Sequence, residues 1–332
     1  MPTPHLPRPN VSRPETLILF AALAPSSHNS QPWSFEVDGQ RIRLFADRRH
    51  QLKVCDPGGR ELVISCGCAL FNLRVAIAEA GRHGELTLLP DPEQPDLLAE
   101  VLIGSDEERS DRELALLFAA IFPRRTFRKR FEERSVPASL LQRLAAAAAG
   151  EDAWLQVIAG EEQRQAAADL VARGDEIQWS DEAWRRELAE WMHERRRGDG
   201  LVIPRFTETI THTIVRSFDM GNGVAARDRE LADGSPVLAV LGSAEDTPRA
   251  WLQAGMALER VLLLAQLEGV QASYLNQAIQ VAALRPQLQS LLRRQGPPQV
   301  MLRMGYADEL PPPTPRRTPG EIMRRQRRSL FA

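Results

Sequence analysis

Gly67-Cys68-Ala69-Leu70-Phe71-Asn72-Leu73 and Gly255-Met256-Ala257-Leu258-Glu259-Arg260-Val261 are the two stretches on which the fold turns. Both continue in helical spacing to a closing glycine, Gly81 and Gly269, and a β-like segment follows each, 85–89 and 271–275. The first run carries Leu62, Val63, Ile64, Leu70, Leu73, Val75 and Ile77, and the second Leu252, Met256, Leu258, Val261, Leu262, Leu263 and Leu264. A helix with no polar face must be covered on every side. Pairing the two at the centre of a two-half molecule meets that demand. A second echo lies upstream. Pro14 opens a helix reaching Ala24, followed by the strand Trp33-Ser34-Phe35-Glu36-Val37; Pro137 opens one reaching Gly150, followed by Trp154-Leu155-Gln156-Val157-Ile158. Proline suits the first turn of a helix.

Outward from these runs, Asp38-Gly39 predicts a hairpin turn between 34–37 and 41–45. Further strands are expected near 85–89 and 100–103 and a helix near 110–120. The second half reads as helices 138–148, 161–178, 182–195, 248–268 and 281–293, with strands 154–158, 236–241, 271–275 and 298–303. Strands separated by unequal numbers of helices predict an α+β layered fold. No Gly-rich strand-to-helix turn supports a dinucleotide-binding Rossmann unit. From Arg195 to Ser235 no period is sustained, while Gly198, Gly200, Gly221, Gly223 and Gly234 interrupt the run. An irregular segment of that length inside a compact protein is usually functional. A lid is expected there, with an arm embracing a partner as the competing reading.

The chain has 332 residues, 43% hydrophobic and 26% charged, with a formal net charge of -2. That balance fits a folded domain and provides no electrostatic case for nucleic acid or an anionic membrane. The three cysteines, Cys55, Cys66 and Cys68, are too few for a disulfide framework. Cys66 and Cys68 lie inside the apolar helical run and read as buried structural thiols, with no metal site expected. The opening Met1–Pro7 lacks a charged and apolar leader pattern. No apolar run is expected to reach membrane-spanning length. A cytoplasmic location follows as the expectation.

Four short motifs carry chemistry, one of them Gly269-Val270-Gln271-Ala272-Ser273-Tyr274-Leu275-Asn276-Gln277 after the second central helix, which otherwise reads as a plain buried strand. Ala24-Pro25-Ser26-Ser27-His28-Asn29-Ser30-Gln31-Pro32-Trp33 places hydroxyls and amides close together where an ordinary turn would not need Gln-Pro-Trp. Arg124-Arg125-Thr126-Phe127-Arg128 offers guanidinium forks and a hydroxyl to a phosphate. Leu302-Arg303-Met304-Gly305-Tyr306 and Pro315-Arg316-Arg317 close the chain, with Arg324, Arg325, Arg327 and Arg328 beyond them reading as a solvated helical face. In this order the other three motifs resemble the Ala-Pro-Ser-Ser-x-Asn-x-Gln-Pro-Trp loop, the Arg-Arg-Ser-x-Arg phosphate motif and the terminal basic pair of the nitroreductase-like flavoproteins. The closest resemblance is to the fused, Acg-like branch.

The resemblance implies a nitroreductase-like fold: two degenerate half-units, 1–122 and 123–332, fused as an intramolecular pseudo-dimer around central buried helices. It implies FMN as cofactor, held by Arg124, Arg125, Thr126, Arg128, Arg316 and Arg317 at the phosphate. Ser26, Ser27, His28, Asn29 and Gln31 would meet the ring, with Leu275 and Asn276 near flavin N5 and O4. It also implies ping-pong transfer of hydride from NAD(P)H to a small-molecule acceptor such as a nitroaromatic or quinone, with no protein residue assigned a proton-transfer role. The first half has Arg8-Pro9-Asn10-Val11-Ser12-Arg13 where an arginine motif would recur, and the second has Ala145 to Ala153 where the Ser/Asn loop would recur. One composite site, hence one FMN per chain, is the consequence. A flavin-binding or flavin-sequestering protein without turnover, its site closed by the 195–235 segment, is the alternative. The fused unit is expected as a monomer or homodimer.

Overall fold

The computed structural model describes residues 9–10, 12–104, 111–194, 197–203, 211–212, 215–216 and 221–324. The first half runs α1 (Glu15–Ala21), β1 (Trp33–Asp38), β2 (Arg41–Ala46), α2 (Arg60–Glu79), β3 (Gly84–Leu88) and β4 (Leu97–Ile103), then the short α3 (Arg112–Leu116) and α4 (Phe118–Ile121). The second half runs α5 (Ala138–Ala149), β5 (Ala153–Val157), α6 (Glu161–Ser180), α7 (Glu182–Glu190), β6 (Met192–His193), β7 (Leu201–Val202) and α8 (Gly221–Asp233). It continues through β8 (Val237–Ser243), α9 (Pro248–Leu267), β9 (Gln271–Tyr274), α10 (Gln277–Gln280), α11 (Arg285–Leu292), β10 (Pro298–Gly305) and α12 (Pro319–Ile322).

Each half builds a four-stranded antiparallel sheet, ordered β1-β2-β4-β3 in the first and β5-β8-β10-β9 in the second. Counted within its half, each order is first, second, fourth, third strand, with a long helix (α2 or α9) between second and third. The α+β duplication expected from the two glycine-bearing runs is therefore realised. The runs meet: a Cβ on Gly67 would lie 2.3 Å from Leu252 O, and one on Gly255 2.1 Å from Ile64 O. Only glycine lets two helix backbones approach so closely. Around the crossing Leu70, Phe71, Leu73, Leu252, Val261 and Leu263 are all fully buried. Each such side chain contributes about 2 kcal/mol of hydrophobic stabilisation.

Trailing segments cross between the halves. Thr126, after the first half, bridges in parallel to Ala272 of β9, and Met323, at the end of the second, bridges in parallel to Phe35 of β1.

Several expectations are corrected. α2 has a mean hydropathy of 1.6 over a membrane-length window, so one apolar run does reach spanning length; 94% of that window is buried inside the protein, against α9 and the first sheet. The described part of the 195–235 segment is less irregular than its glycines imply, and 195–196, 204–210, 213–214 and 217–220 lie outside the described residues. Met192–His193 pairs in parallel with Leu201–Val202, and α8 packs along α6 with Ala225 and Ala232 buried. Gly221 and Gly234 bracket that helix, and the helix-forming run between them outweighs Gly223. The helix read over 182–195 stops at Glu190, and the one read over 281–293 starts at Arg285, after the separate turn α10. Arg324 is not merely solvated: it donates to Ser34 Oγ and lies 3.9 Å over the Phe45 ring. Arg325, Arg327 and Arg328 lie outside the described residues.

Candidate functional site

The loop between α1 and β1 is locally strained. His28, Asn29 and Gln31 adopt φ of 50°, 54° and 49°, left-handed backbone that costs non-glycine residues about 1 kcal/mol or more each. Hydrogen bonds hold it: Ser26 Oγ accepts from Gln31 N at 2.9 Å, and Ser27 Oγ donates to Glu61 Oε2 at 2.5 Å. Strain of this kind, held in place by surrounding bonds, turns Ser26, Ser27 and His28 into a cavity of about 420 Å³ between the halves. That is the size class of small-molecule and cofactor sites.

The first half supplies the loop and α2 residues Glu61, Ile64 and Cys68 to this cavity. The second supplies Thr126 and Arg128, then Tyr274, Leu275 and Asn276 at the end of β9. The roof comes from α6, α7 and α8, through Asp175, Trp179, Trp184, Leu188 and Asp228. Trp179 and Trp184 meet edge to face with centroids 5.5 Å apart.

Burial, and then the positive charge of Arg128, hold the His28 imidazole down to about 4 against the partial pull of Glu61, so it is neutral at pH 7. Its Nδ1 has no hydrogen-bond partner among the described residues; nor do Tyr274 OH and Trp184 Nε1. Buried polar atoms are rarely left so. Arg128 makes no hydrogen bond or ion pair with a described residue. It is open towards the cavity yet sufficiently enclosed that burial lowers its pKa.

The other arginines cluster behind this wall. Arg124 and Arg316 both donate to Leu23 O, at 3.1 and 2.9 Å, while Arg125 donates to the carbonyls of Phe122 and Arg124. Burial and then mutual repulsion lower Arg125 to about 10 and Arg316 to about 9. The counter-charge is Glu259 of α9, fully buried and 3.4 Å from Arg124 Nε. Neither Arg124 Nε nor Arg316 Nε has a hydrogen-bond partner among the described residues. Such a cluster is short of negative charge and suited to an anion.

Of the residues singled out from sequence, Ser26, Ser27, His28, Thr126, Arg128, Leu275 and Asn276 line the cavity; Asn29, Gln31, Arg124, Arg125, Arg316 and Arg317 do not. Two cavity groups are also already engaged: Leu275 N donates to Met301 O at 3.0 Å, and Asn276 Oδ1 accepts from Met301 N at 2.9 Å. Asn29 and Gln31 instead grip the turn between β6 and β7. Gln31 Nε2 donates to Gly198 O at 2.8 Å, and Asn29 Nδ2 to Gly200 O at 3.3 Å. Arg316 donates to Asn29 Oδ1, and Arg317 to Gln31 O and to Asp47. His193 and His50 flank Asp199 at 3.2 and 3.6 Å on the same turn. These contacts latch the roof's descending end to the first half and the C-terminal segment.

Sequence reasoning missed Asp175, Trp179, Trp184 and Asp228, and took Tyr274 and Gln277 only as neighbours of Leu275 and Asn276 in the stretch after the second central helix. The first four lie on helices whose convergence no local pattern announces. A signal was available for the arginines: Pro-Arg-Arg-Thr occurs at both 123–126 and 315–318, and the two copies come together at Leu23 O.

No family model matches the chain. A Mycobacterium tuberculosis protein named "Putative NAD(P)H nitroreductase" is 32% identical over 325 residues, covering 95% of this chain and 92% of its own length. A second protein of that organism with the same name, acg, is 28% identical over 314 residues, covering 93% and 94%. Among solved structures, the FMN-dependent nitroreductase NfnB of Mycobacterium smegmatis, in complex with NADPH, is 18% identical with a TM-score of 0.43, covering 64% of this chain and all of its own.

Proposed function

The chain belongs to the nitroreductase family, and from that premise we propose that it is a cytoplasmic FMN-dependent oxidoreductase. It passes hydride from NAD(P)H to a small acceptor such as a nitroaromatic or quinone. The observation that carries the reading is the inter-half cavity with an anion-seeking arginine cluster behind one wall and a strained polar loop on the other. The residues fit FMN. Polar atoms on cavity residues His28 and Tyr274 that have no partner among the described residues are ones that a polar ligand would satisfy. Thr126 and Arg128 would meet the phosphate from the cavity wall, with the positive charge of Arg124, Arg125 and Arg316 behind them favouring an anion there. Ser26, Ser27 and His28 would meet the ring on one side, and the carbonyl side of Leu275–Asn276 on the other. FMN, once bound, supplies the redox chemistry; the chain orients it and excludes water.

A second reading is favoured by the roof. α6, α7 and α8 cover the cavity and a latch pins their end, which suits a protein that sequesters flavin without turnover. Mixing holoprotein with NADPH anaerobically separates the two: bleaching of flavin absorbance supports the oxidoreductase, and an unchanged spectrum the sequestering protein. Stoichiometry is expected at one FMN per chain. Colourless protein that added FMN does not turn yellow would overturn both.

A further inference from the structure

The cavity roof carries a carboxylate pair that the cofactor site does not use. Gln277 Nε2 donates to Asp175 Oδ1 at 3.1 Å and to Asp228 Oδ2 at 2.7 Å, joining α6 to α8. Asp175 lines the cavity and is 3% exposed, and its second oxygen, Oδ2, has no hydrogen-bond partner among the described residues. A buried carboxyl oxygen in that position calls for a proton or a ligand. On the flavin-dependent reading above, we propose that Asp175 is the acid that protonates the acceptor, with Gln277 and Asp228 as its positioning residues.

The surrounding charges keep a proton there. Asp228 and Arg227 face Asp175 from α8, Arg303 from β10, and Glu176 is its neighbour on α6. Across the cavity stand Arg128, Glu61 and neutral His28, while α7 contributes only Trp184 and Leu188, and α11 nothing. Burial first, and then the charge of Asp228, raise the Asp175 carboxyl to about 7. Burial raises Asp228 as well, with Gln277, Arg303 and Arg227 pulling it back. Two carboxyls bridged by one amide do not both ionise readily, so the pair holds a shared proton near neutrality. An acid poised near the working pH transfers protons best.

The step balances. Reducing a quinone to a hydroquinone takes two electrons and two protons. Hydride from NAD(P)H, by way of FMN, carries both electrons and one proton. The Asp175 O–H bond breaks, an O–H bond forms on the acceptor oxygen, and the electron pair stays on the carboxylate. Water reprotonates it as product leaves. The Trp179–Trp184 pair offers a planar acceptor an apolar wall beside the acid.

Binding of 1,4-naphthoquinone to oxidised holoprotein, without NAD(P)H and followed by flavin absorbance, tests the acid apart from turnover. Wild-type Kd is expected to rise about tenfold from pH 6 to pH 8 as the carboxyl donor is lost. Asp175→Asn keeps an N–H donor, so its Kd should be flat over that range. Asp228→Asn should move the wild-type transition to lower pH. In rapid mixing, Asp175→Asn already reduced by NADPH should pass electrons to naphthoquinone at least about tenfold more slowly than reduced wild type, with Asp175→Glu restoring part of the loss. A pH-independent wild-type Kd, or an unslowed electron transfer to quinone in Asp175→Asn, overturns the proposal and leaves the flavin reading standing. Wild-type protein that NADPH does not bleach loses both, a failure visible before quinone is added.

Discussion

The two halves repeat one strand order, yet they join their first two strands in different ways. In the first half β1 turns into β2 through Gly39-Gln40, with Gly39 at φ +59°. In the second, residues 158–236 separate β5 from β8 and contain α6, α7 and α8. The loop before the first strand shows the reverse asymmetry: Ala22–Pro32 in the first half, but only Gly150–Asp152 in the second. The central helices diverge too, since Phe71 stands in the first run where Glu259 stands in the second. The half with the polar loop therefore has no roof, and the half with the roof has no polar loop. A duplicated scaffold has become one composite cavity, because an insertion at a hairpin leaves the sheet's hydrogen bonding and the buried crossing untouched.

The comparison can be broken most severely at the crossing shared by both halves. Gly67→Ala and Gly255→Ala should each cost more than about 3 kcal/mol, because the new Cβ meets backbone rather than a movable side chain. Gly39→Ala, with open space around it, should cost only about 1 kcal/mol for its positive φ. Urea unfolding of the three variants checks this, and equal losses would mean the helices do not cross there.

The Phe71–Glu259 difference is sharpened by pH. Burial raises Glu259 to about 7 despite the attraction of Arg124. The folded protein holds that proton more tightly than the unfolded chain does. The stability it contributes is thus complete below about 4.5 and lost as pH rises through 7. Between pH 4.5 and 8 the wild type should lose about 2 to 3 kcal/mol relative to Glu259→Gln. Parallel unfolding curves for the two proteins at every pH would contradict it.

The composite site predicts a change in ligand binding with little change in fold. Arg125→Ala combined with Arg128→Ala should weaken FMN at least about tenfold while shifting flavin-free stability by less than about 1 kcal/mol. Flavin content by absorbance, beside thermal unfolding, reads both; full occupancy would put the phosphate elsewhere. A last test lies in the loop. His28 falls to about 4 in the folded state, so its contribution is complete above 6.5 and is lost as pH falls from there to 4. His28→Gln should blunt that loss, and unchanged acid sensitivity would indicate a histidine that titrates normally.

The central helices were legible in the sequence because all-round hydrophobicity admits no arrangement but burial, and the matching Gly67 and Gly255 marked where they touch. Ser26, Ser27, His28, Thr126 and Arg128 were legible as a polar loop and a cationic motif. Asn29 and Gln31 were legible only as members of that loop. Their side chains grip Gly198 and Gly200, which approach from a distant turn. The α8 helix was obscured because flanking glycines mask a short helix-forming run.

By itself, the sequence determined which segments must be buried and which short motifs carry charge, since periodicity and side-chain chemistry are local properties of the chain. Only the tertiary structure decided that Gln277 bridges Asp175 and Asp228 in the cavity roof, and that Arg316 and Arg317 bond to the polar loop. A hydrogen bond or a desolvated carboxyl depends on what passes within about 3 Å, and in this molecule those neighbours come from residues far apart along the chain.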